Sequence, residues 1–163
     1  MEFRKLEIEN SSDIALMSKV ASAIVKEHYD PLLGAEQNDY MIEMFQSVKA
    51  ITEQLEHGYK YYFCMSDNEI VGFMAFYPKE NEMYISKFYL KKEHRGKGYS
   101  REMLNFVISD AKRMNLDLIT LNVNKYNKSV DIYKSLGFFK IRDEKNDIGN
   151  GFFMDDYVMG YRI

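Results

Sequence analysis

The chain has 163 residues, 46% of them hydrophobic and 29% charged, which is the composition of one globular domain and excludes a disordered or collagen-like chain. Its 22 basic and 25 acidic side chains give a formal net charge of −3, which argues against a dedicated nucleic-acid binder. With one cysteine, no apolar run of the roughly 20 residues that span a membrane, and no leader pattern in residues 1–30, we expect a single cytoplasmic domain over 1–163.

The first part of the chain predicts one short strand and two helices. Residues 3–8 alternate weakly, as an edge strand does. Apolar residues at helical spacing predict a first helix over 13–28, which the Asp-Pro-Leu-Leu-Gly segment at 30–34 should end. A second apolar stripe predicts one helix from Asn38 or Asp39 to Gly58.

The hydrophobic period then changes from 3.6 to 2. Three strands over 61–65, 70–77 and 83–90 should form an antiparallel meander. They are followed by a loop (94–98), a helix (99–114), a buried strand (118–123), a short helix (127–136) and two final strands (138–142 and 152–161). The predicted order, β-α-α-β-β-β-α-β-α-β-β, contains a right-handed βαβ crossover, so the expected fold class is α/β, with a mixed sheet and helices on both faces.

The loop after the meander carries the clearest functional signal. Gly96 and Gly98 would let the backbone approach a ligand closely, and the start of the next helix attracts an anion such as a pyrophosphate. Five basic residues surround this loop in an otherwise acidic chain: Lys91, Lys92, Arg95, Lys97 and Arg101. The spacing lacks the third glycine of a dinucleotide fingerprint and the Gly-Lys-Ser/Thr of a P-loop, and a solvated glycine turn is an alternative interpretation.

Two motifs in this chain resemble those of the GNAT acetyltransferase superfamily. The cofactor motif of that family, [RQ]-x-x-G-x-[GA], is matched by Arg95-Gly96-Lys97-Gly98-Tyr99-Ser100, with Ser100 at the position of Gly or Ala. Its later motif, an Asn before a short helix that carries a Tyr and ends in Gly-Phe, is matched by Asn127, Tyr133 and Gly137-Phe138. The element order agrees along essentially the whole chain, and the resemblance implies a GNAT-like fold with a splay between two parallel strands.

The resemblance implies an N-acetyltransferase that uses acetyl-CoA as its co-substrate. The residues implied in cofactor binding are Phe88, Tyr89, Leu90, Arg95, Gly96, Lys97, Gly98, Tyr99, Ser100, Arg101 and Asn127. The loop N–H groups would hold the pyrophosphate, and the backbone of residues 88–90 would pair with the pantetheine arm like an added strand. Tyr133 would protonate the departing thiolate; its alternative role is to pack the short helix against the sheet.

The general base is not evident from the sequence. Some polyamine-acetylating relatives place a Glu on the strand before the loop, and the corresponding position here is Ser86, followed by Lys87. A water held by Ser86, by Tyr84 or by backbone carbonyls is therefore the expected relay for the proton of the amine. No spacing of His or Cys residues suggests a metal site, and Cys64 is expected to be a buried hydrophobe.

The acceptor is expected to be a cationic small amine. The segments 30–37 and 147–157 mix acids with apolar residues. The sequence is similar to bacterial spermidine/spermine or diamine acetyltransferases, particularly in the first of these segments and in the Met-Asp-Asp-Tyr-Val-Met segment at 154–159. Asp155 and Asp156 would equally suit a turn into the last strand. Acetylation of a protein N-terminus or lysine, or a sensor that binds acetyl-CoA with little turnover, are the alternative functions. The expected partner is a small molecule, without nucleic acid or membrane, and a homodimer is compatible with the sequence.

Overall fold

A computed structural model describes all residues from 1 to 163. Its elements in chain order are β1 (Glu2–Lys5), α1 (Ser11–Leu33), α2 (Ala35–Gln46), α3 (Val48–Glu56), β2 (Lys60–Ser66), β3 (Glu69–Lys79), β4 (Glu82–Leu90), a 3₁₀ turn (Lys92–His94), α4 (Tyr99–Arg113), β5 (Leu118–Asn124), α5 (Ser129–Leu136), β6 (Phe139–Gly149) and β7 (Phe152–Arg162). None of the helices is both long and apolar enough to cross a membrane.

The strands form one seven-stranded sheet in the order β1-β2-β3-β4-β5-β7-β6. β4 and β5 pair in parallel, whereas β1 with β2, β2 with β3, β5 with β7 and β6 with β7 pair antiparallel. The predicted mixed α/β sheet with a crossover is therefore confirmed. The parallel register joins Met83–Ile85 to Ile119–Leu121, and both strands continue beyond it, in agreement with the predicted splay.

The prediction for the helical region was wrong in two places. The first helix does not end near His28: it continues through Pro31 to Leu33, and Gly34 ends it at φ 84°. Pro31 is tolerated because it lies in the last turn, where it removes only one backbone donor. The single helix predicted over 38–58 is two helices, α2 and α3, separated at Ser47, which is extended and caps α3 by accepting the Ala50 N–H.

The prediction for the first of the two C-terminal strands was also too short. The strand predicted over 138–142 begins at Phe139 and extends to Gly149, whereas the last strand, predicted over 152–161, spans Phe152–Arg162 as expected. The tight connection places Asn150 and Gly151 at positive φ. β6 is exposed along nearly all its length, so its sequence shows no alternation of apolar and polar residues that would predict a strand.

The chain divides into two compact units, and the first consists of Met1–Tyr77 and Lys87–Met103. Its core joins one face of α1 to the inner faces of β2 and β3, through residues that include Met17, Ile24, Phe63, Phe73 and Ala75. Met74 and Phe76, which alternate with Phe73 and Ala75 on β3, are also fully buried, so β3 is covered on both faces. Cys64 is a free, fully buried thiol, as predicted.

The second unit consists of Pro78–Ser86 and Leu104–Ile163. It contains β5 between the first half of β4 and β7, and α5 lies against β5. The ring of Phe138 links α5 to the sheet, since its centroid lies 5.6 Å from that of Tyr133 and 5.5 Å from that of Tyr161. The expectation of one domain over 1–163 stays a prediction.

We expect Gly72→Ala to destabilise the first unit by about 1–3 kcal/mol, as overpacking does. A Cβ at Gly72 would lie 2.3 Å from the carbonyl oxygen of Tyr89, and a backbone oxygen on β4 cannot move aside cheaply. Gly160→Ala is the matched control, because its Cβ would meet only side-chain atoms, the nearest being Ile141 Cδ1 at 2.8 Å. Urea unfolding of the two variants should show the larger loss for Gly72→Ala; equal losses would contradict the argument.

Candidate active site

The loop that opens α4 presents bare backbone to solvent. Gly96 and Gly98 have φ angles of 77° and 82°, which L side chains rarely adopt, and residues 95–98 are exposed. A Cβ placed on either glycine would meet no atom within 4 Å. The first N–H groups of α4, from Tyr99 onward, have no acceptor within the helix. This geometry suits a phosphorylated ligand, because it offers donors, a helix dipole and open space at one place.

The side chains of the loop anchor it within the first unit. Arg95 approaches His28 Nδ1 on α1 at 3.3 Å and the Leu90 carbonyl oxygen at 3.5 Å. The Tyr99 hydroxyl lies 2.9 Å from Ser66 Oγ at the end of β2. Lys97 and Arg101 are exposed. The predicted ligand residues therefore divide into those that fix the loop, Arg95 and Tyr99, and those that add positive charge beside it.

The strand that leads to this loop is held by its aromatic side chains. The Tyr89 ring lies 5.3 Å from the Phe73 ring and 6.3 Å from the Tyr29 ring, while Leu90 is buried. The Lys91 N–H donates to the Val71 carbonyl oxygen at 2.8 Å, which extends the pairing with β3 beyond the end of β4. The first unit thus brings the predicted residues Phe88–Leu90 and Arg95–Arg101 together.

Lys87 is the feature that the sequence interpretation missed. Its side chain is 4% exposed, yet no carboxylate is bonded to it. Its Nζ donates to the Phe45 carbonyl oxygen at 2.6 Å, to Gln46 Oε1 at 2.8 Å and to Gln54 Oε1 at 3.1 Å. It also donates to the Tyr61 hydroxyl. Burial lowers the pKa of Lys87 to about 7, because the charged form is taken out of water without a counter-ion.

We expect the stability of the protein to depend on pH through Lys87. In the unfolded chain its pKa is near 10.5, so between pH 7 and 10.5 folding releases a proton, and stability rises with pH by up to about 1.4 kcal/mol per unit. Below pH 7 both states are protonated and the contribution is constant. Urea unfolding of wild type and Lys87→Met from pH 5.5 to 9.5 should give free energies whose difference changes only above neutrality. Lys49→Met removes an exposed charge from α3 and should follow wild type.

The second unit has a hydrogen-bonded row across its sheet. The Tyr84 hydroxyl on β4 donates to Asn122 Oδ1 on β5 at 2.8 Å, and Asn122 Nδ2 donates to Asp156 Oδ2 on β7 at 3.3 Å. Tyr84 and Ser86 share one face of β4 by alternation, and Asn122 and Asp156 lie on the same face by register. Ser86, the predicted site of a water relay, is half-buried on this face.

Asp156 is a buried carboxylate and not part of a turn. It is 3% exposed within β7, so the interpretation of Asp155 and Asp156 as a turn into the last strand was wrong. Burial raises the pKa of Asp156 to about 6; the Asn122 hydrogen bond opposes this rise, and the nearby charge of Glu144 adds to it. Asp155 faces the other side of the strand and pairs with Lys125 at 3.1 Å. The two adjacent acids thus have different environments.

Tyr133 lies within α5, and Asn127 lies just before the start of that helix. Asn127 is buried, and its Oδ1 accepts the Ser129 N–H at 2.9 Å, which orders the start of α5. Tyr133 is half-buried and packs edge-on against Phe138. The helix ends at Gly137, which has φ 109° and whose Cβ would come within 3.0 Å of the Tyr161 ring. The second unit therefore contains Ser86, Asn127 and Tyr133, and the position of each is fixed by its own element.

The chain matches a family described as "Acetyltransferase (GNAT) domain" over residues 20–157. It belongs to the GNAT acetyltransferase family. The predicted family and enzyme class are thereby confirmed. No curated protein matches the sequence.

Several solved structures are similar in fold. The PaiA N-acetyltransferase of Thermoplasma acidophilum, in complex with coenzyme A, is 21% identical with a TM-score of 0.79, covering 99% of this chain and 98% of its own. A GNAT family acetyltransferase of Elizabethkingia anophelis with acetyl-CoA bound is 19% identical with a TM-score of 0.59, covering 71% and 83%. The ribosomal-protein-S18-alanine N-acetyltransferase of Escherichia coli is 16% identical with a TM-score of 0.68, covering 99% and 93%. The bound molecules agree with the predicted co-substrate.

Proposed function

We propose that this acetyltransferase moves the acetyl group of acetyl-CoA to the primary amine of a small molecule, most favourably a polyamine. The observation that carries the donor half of the proposal is the open, left-handed turn at Gly96 and Gly98 at the start of α4. The acceptor half is supported by a buried carboxylate, Asp156, in the second unit. The proposed location is the cytoplasm.

The residues of the loop fit a pyrophosphate. The N–H groups of residues 96–101 would donate to its oxygens, and the exposed Lys97 and Arg101 would add attraction that salt screens. The backbone of Phe88, Tyr89 and Leu90 would receive the pantetheine arm as a further strand. Acetyl-CoA supplies an activated thioester. The role of this chain is to hold that thioester, exclude water and move two protons.

Tyr133 is the proposed acid and Asn127 a proposed partner of the cofactor. The phenol of Tyr133 is held by its packing on Phe138, so its hydroxyl would have a fixed direction. A free thiol has a pKa of about 8.5 and a phenol about 10, so a proton can pass from Tyr133 to a thiolate without a steep cost. Asn127 is ordered by its bond to the Ser129 N–H, which would direct its amide group.

The proposed acceptor for the proton of the amine is a water molecule held on the face of β4 that carries Ser86 and Tyr84. Tyr84 is bonded through Asn122 to Asp156, so this face is polar and ends in a carboxylate. A buried carboxylate in the second unit would favour a cationic acceptor nearby. This is the feature that favours a polyamine, which carries a second ammonium group besides the one that reacts.

An alternative acceptor is the N-terminal amine of a protein, since one similar structure is an alanine N-acetyltransferase acting on ribosomal protein S18. A chain that binds acetyl-CoA with little turnover is the other alternative, because no carboxylate occupies the position of Ser86. The first alternative requires that a peptide be a better acceptor than a free amine. The second requires binding without consumption.

The test is an acetyl-CoA consumption assay with spermidine, cadaverine, free amino acids, an aminoglycoside and an alanine-initiated peptide, beside thermal unfolding with acetyl-CoA. The proposal predicts a raised melting temperature and the highest kcat/KM for spermidine. A preference for the peptide would favour the N-terminal alternative, and a thermal shift without turnover would favour the sensor. No shift at millimolar acetyl-CoA would show that the donor is wrong.

A further inference from the structure

The hydrogen-bonded row of the second unit has a direction. It starts at the half-buried Tyr84 on β4, whose hydroxyl donates to Asn122 Oδ1 on β5 at 2.8 Å. Asn122 Nδ2 in turn donates to Asp156 Oδ2 on β7 at 3.3 Å. Glu144 on β6 lies directly opposite Asp156 in the strand register. Each bond in the row therefore points away from Tyr84 and toward the two carboxylates.

The two carboxylates fix the orientation of the Asn122 amide. Asp156 is buried, and hydrogen bonds from Asn146 and, more weakly, from Asn122 lower the pKa of Glu144, so that Glu144 is ionised at neutral pH. An ionised carboxylate can only accept, so the amide turns its N–H groups toward these acids. A reversed amide would bring Oδ1 against the carboxylates, which would repel it. The carbonyl of the amide therefore faces Tyr84.

This orientation decides what the Tyr84 hydroxyl offers to a further group. A phenol has one hydrogen, and here that hydrogen goes to Asn122. The same oxygen can therefore only accept a hydrogen bond from a water on this face of β4. A water that donates one hydrogen to Tyr84 keeps its lone pairs for the proton of an amine. A phenol that donated to the water would compete with the amine for those lone pairs.

We propose that Asn122 and Asp156 are positioning residues that hold the Tyr84 hydroxyl as an acceptor, so that Tyr84 orients the water that takes the proton of the amine. The inference rests on the proposed function, which assigns a water to the face of Ser86 and Tyr84. The amine nitrogen bonds to the acetyl carbon, the bond from that carbon to sulfur breaks, and the thiolate takes its proton from Tyr133. The nitrogen loses one proton to the water, which passes it to solvent.

The first test is a double-mutant cycle on the single-turnover rate constant, with the best acceptor of the panel at pH 8. Tyr84→Phe should lower this constant by about 2- to 12-fold, the effect of one hydrogen bond. Asp156→Asn can donate as well as accept, so it fixes Asn122 less firmly and should lower the constant too. In the Tyr84→Phe background it should have no further effect. Losses that multiply in the double variant, or a wild-type rate in Tyr84→Phe, would overturn the proposal.

Asp155→Asn is the matched control, because it removes the adjacent charge on the other face of β7, where Asp155 pairs with Lys125. It should keep the wild-type rate constant. KM separates positioning from the attraction of a cationic acceptor by Asp156: a rise in KM in Asp156→Asn should persist in the Tyr84→Phe background, whereas the loss of rate should not. Equal losses of rate in Asp155→Asn and Asp156→Asn would contradict a positioning role.

The second test examines the row without any reaction. Tyr84→Phe should lower the equilibrium constant for folding, measured in urea, by about 2- to 12-fold. In a variant that carries both Asn122→Val and Asp156→Val, the hydroxyl has lost this acceptor, so Tyr84→Phe should have no such cost. That background leaves neither a buried carboxylate nor an unpaired amide, and it replaces Asp156→Asn in the kinetic cycle if that variant does not fold. Equal losses of stability in the two backgrounds would show that the row does not hold Tyr84.

The two tests separate the failure of this inference from the failure of the proposed function. If wild type consumes no acetyl-CoA with any acceptor of the panel, the proposed function fails, and the water oriented by Tyr84 fails with it. The unfolding data still decide whether Asn122 and Asp156 hold the Tyr84 hydroxyl. If wild type turns over but the kinetic losses multiply, the proposed function stands and the positioning role alone is wrong.

Discussion

Replacement of Tyr133 by Phe is expected to lower kcat by about 10²- to 10⁴-fold, the usual contribution of general acid catalysis. The substitution keeps the ring that packs edge-on against Phe138, so the fold and the affinity for acetyl-CoA should change little. The measurement is steady-state kinetics with acetyl-CoA and the best amine of the panel, with a single-turnover experiment to show that chemistry limits the rate.

The matched control is Tyr126→Phe, in the same segment of the chain. Tyr126 is 72% exposed, so loss of its hydroxyl should leave kcat unchanged. If Tyr133 only packs α5 against the sheet, we expect the opposite pattern: full activity for Tyr133→Phe and a stability loss for Tyr133→Ala. A Tyr133→Phe enzyme with wild-type kcat, under conditions where chemistry limits the rate, would end its assignment as the acid.

The strands that flank the proposed site were predictable because their side chains alternate against a buried core. Met83 and Ile85 on β4, and Ile119, Leu121 and Val123 on β5, are apolar and buried at every second position. The loop was predictable for another reason, since Gly96 and Gly98 have φ angles of 77° and 82°, which residues with a side chain rarely adopt. In both cases the local chemistry and the fold demand the same residues.

The break between α2 and α3 at Ser47 could not be predicted from periodicity, because apolar residues recur at helical spacing on both sides of it. It depends on partners distant in sequence: Ser18 and Lys87 hold the end of α2 at the break. One signal was available, namely a lysine at an inward position of β4 between Ile85 and Tyr89. An inward lysine requires acceptors, but the sequence does not show that two glutamines and a tyrosine from other elements supply them.

Asp156 was misplaced for a related reason. An Asp-Asp pair is typical of an exposed turn, and only the pairing of β7 with β5 and β6 shows that one acid is buried and the other is not. The length of β6 was missed because an exposed strand that pairs along one edge needs no apolar face. These features are set by tertiary pairing, which local sequence does not encode.

Replacement of Gly98 by Val is expected to abolish detectable binding of acetyl-CoA. The φ of 82° at this position lies in the left-handed region, which costs a β-branched residue about 1–3 kcal/mol, so the turn should change its conformation. If the turn is kept instead, the side chain fills the space in front of the N–H groups that would donate to the pyrophosphate. Gly151→Val is the matched control, since that glycine has φ 78° and also meets no atom within 4 Å, but lies in the β6–β7 turn. Both variants should lose similar stability in urea, while calorimetry should show that only Gly98→Val loses binding. Wild-type affinity in Gly98→Val, or equal losses of affinity in the two variants, would remove the loop from the cofactor site.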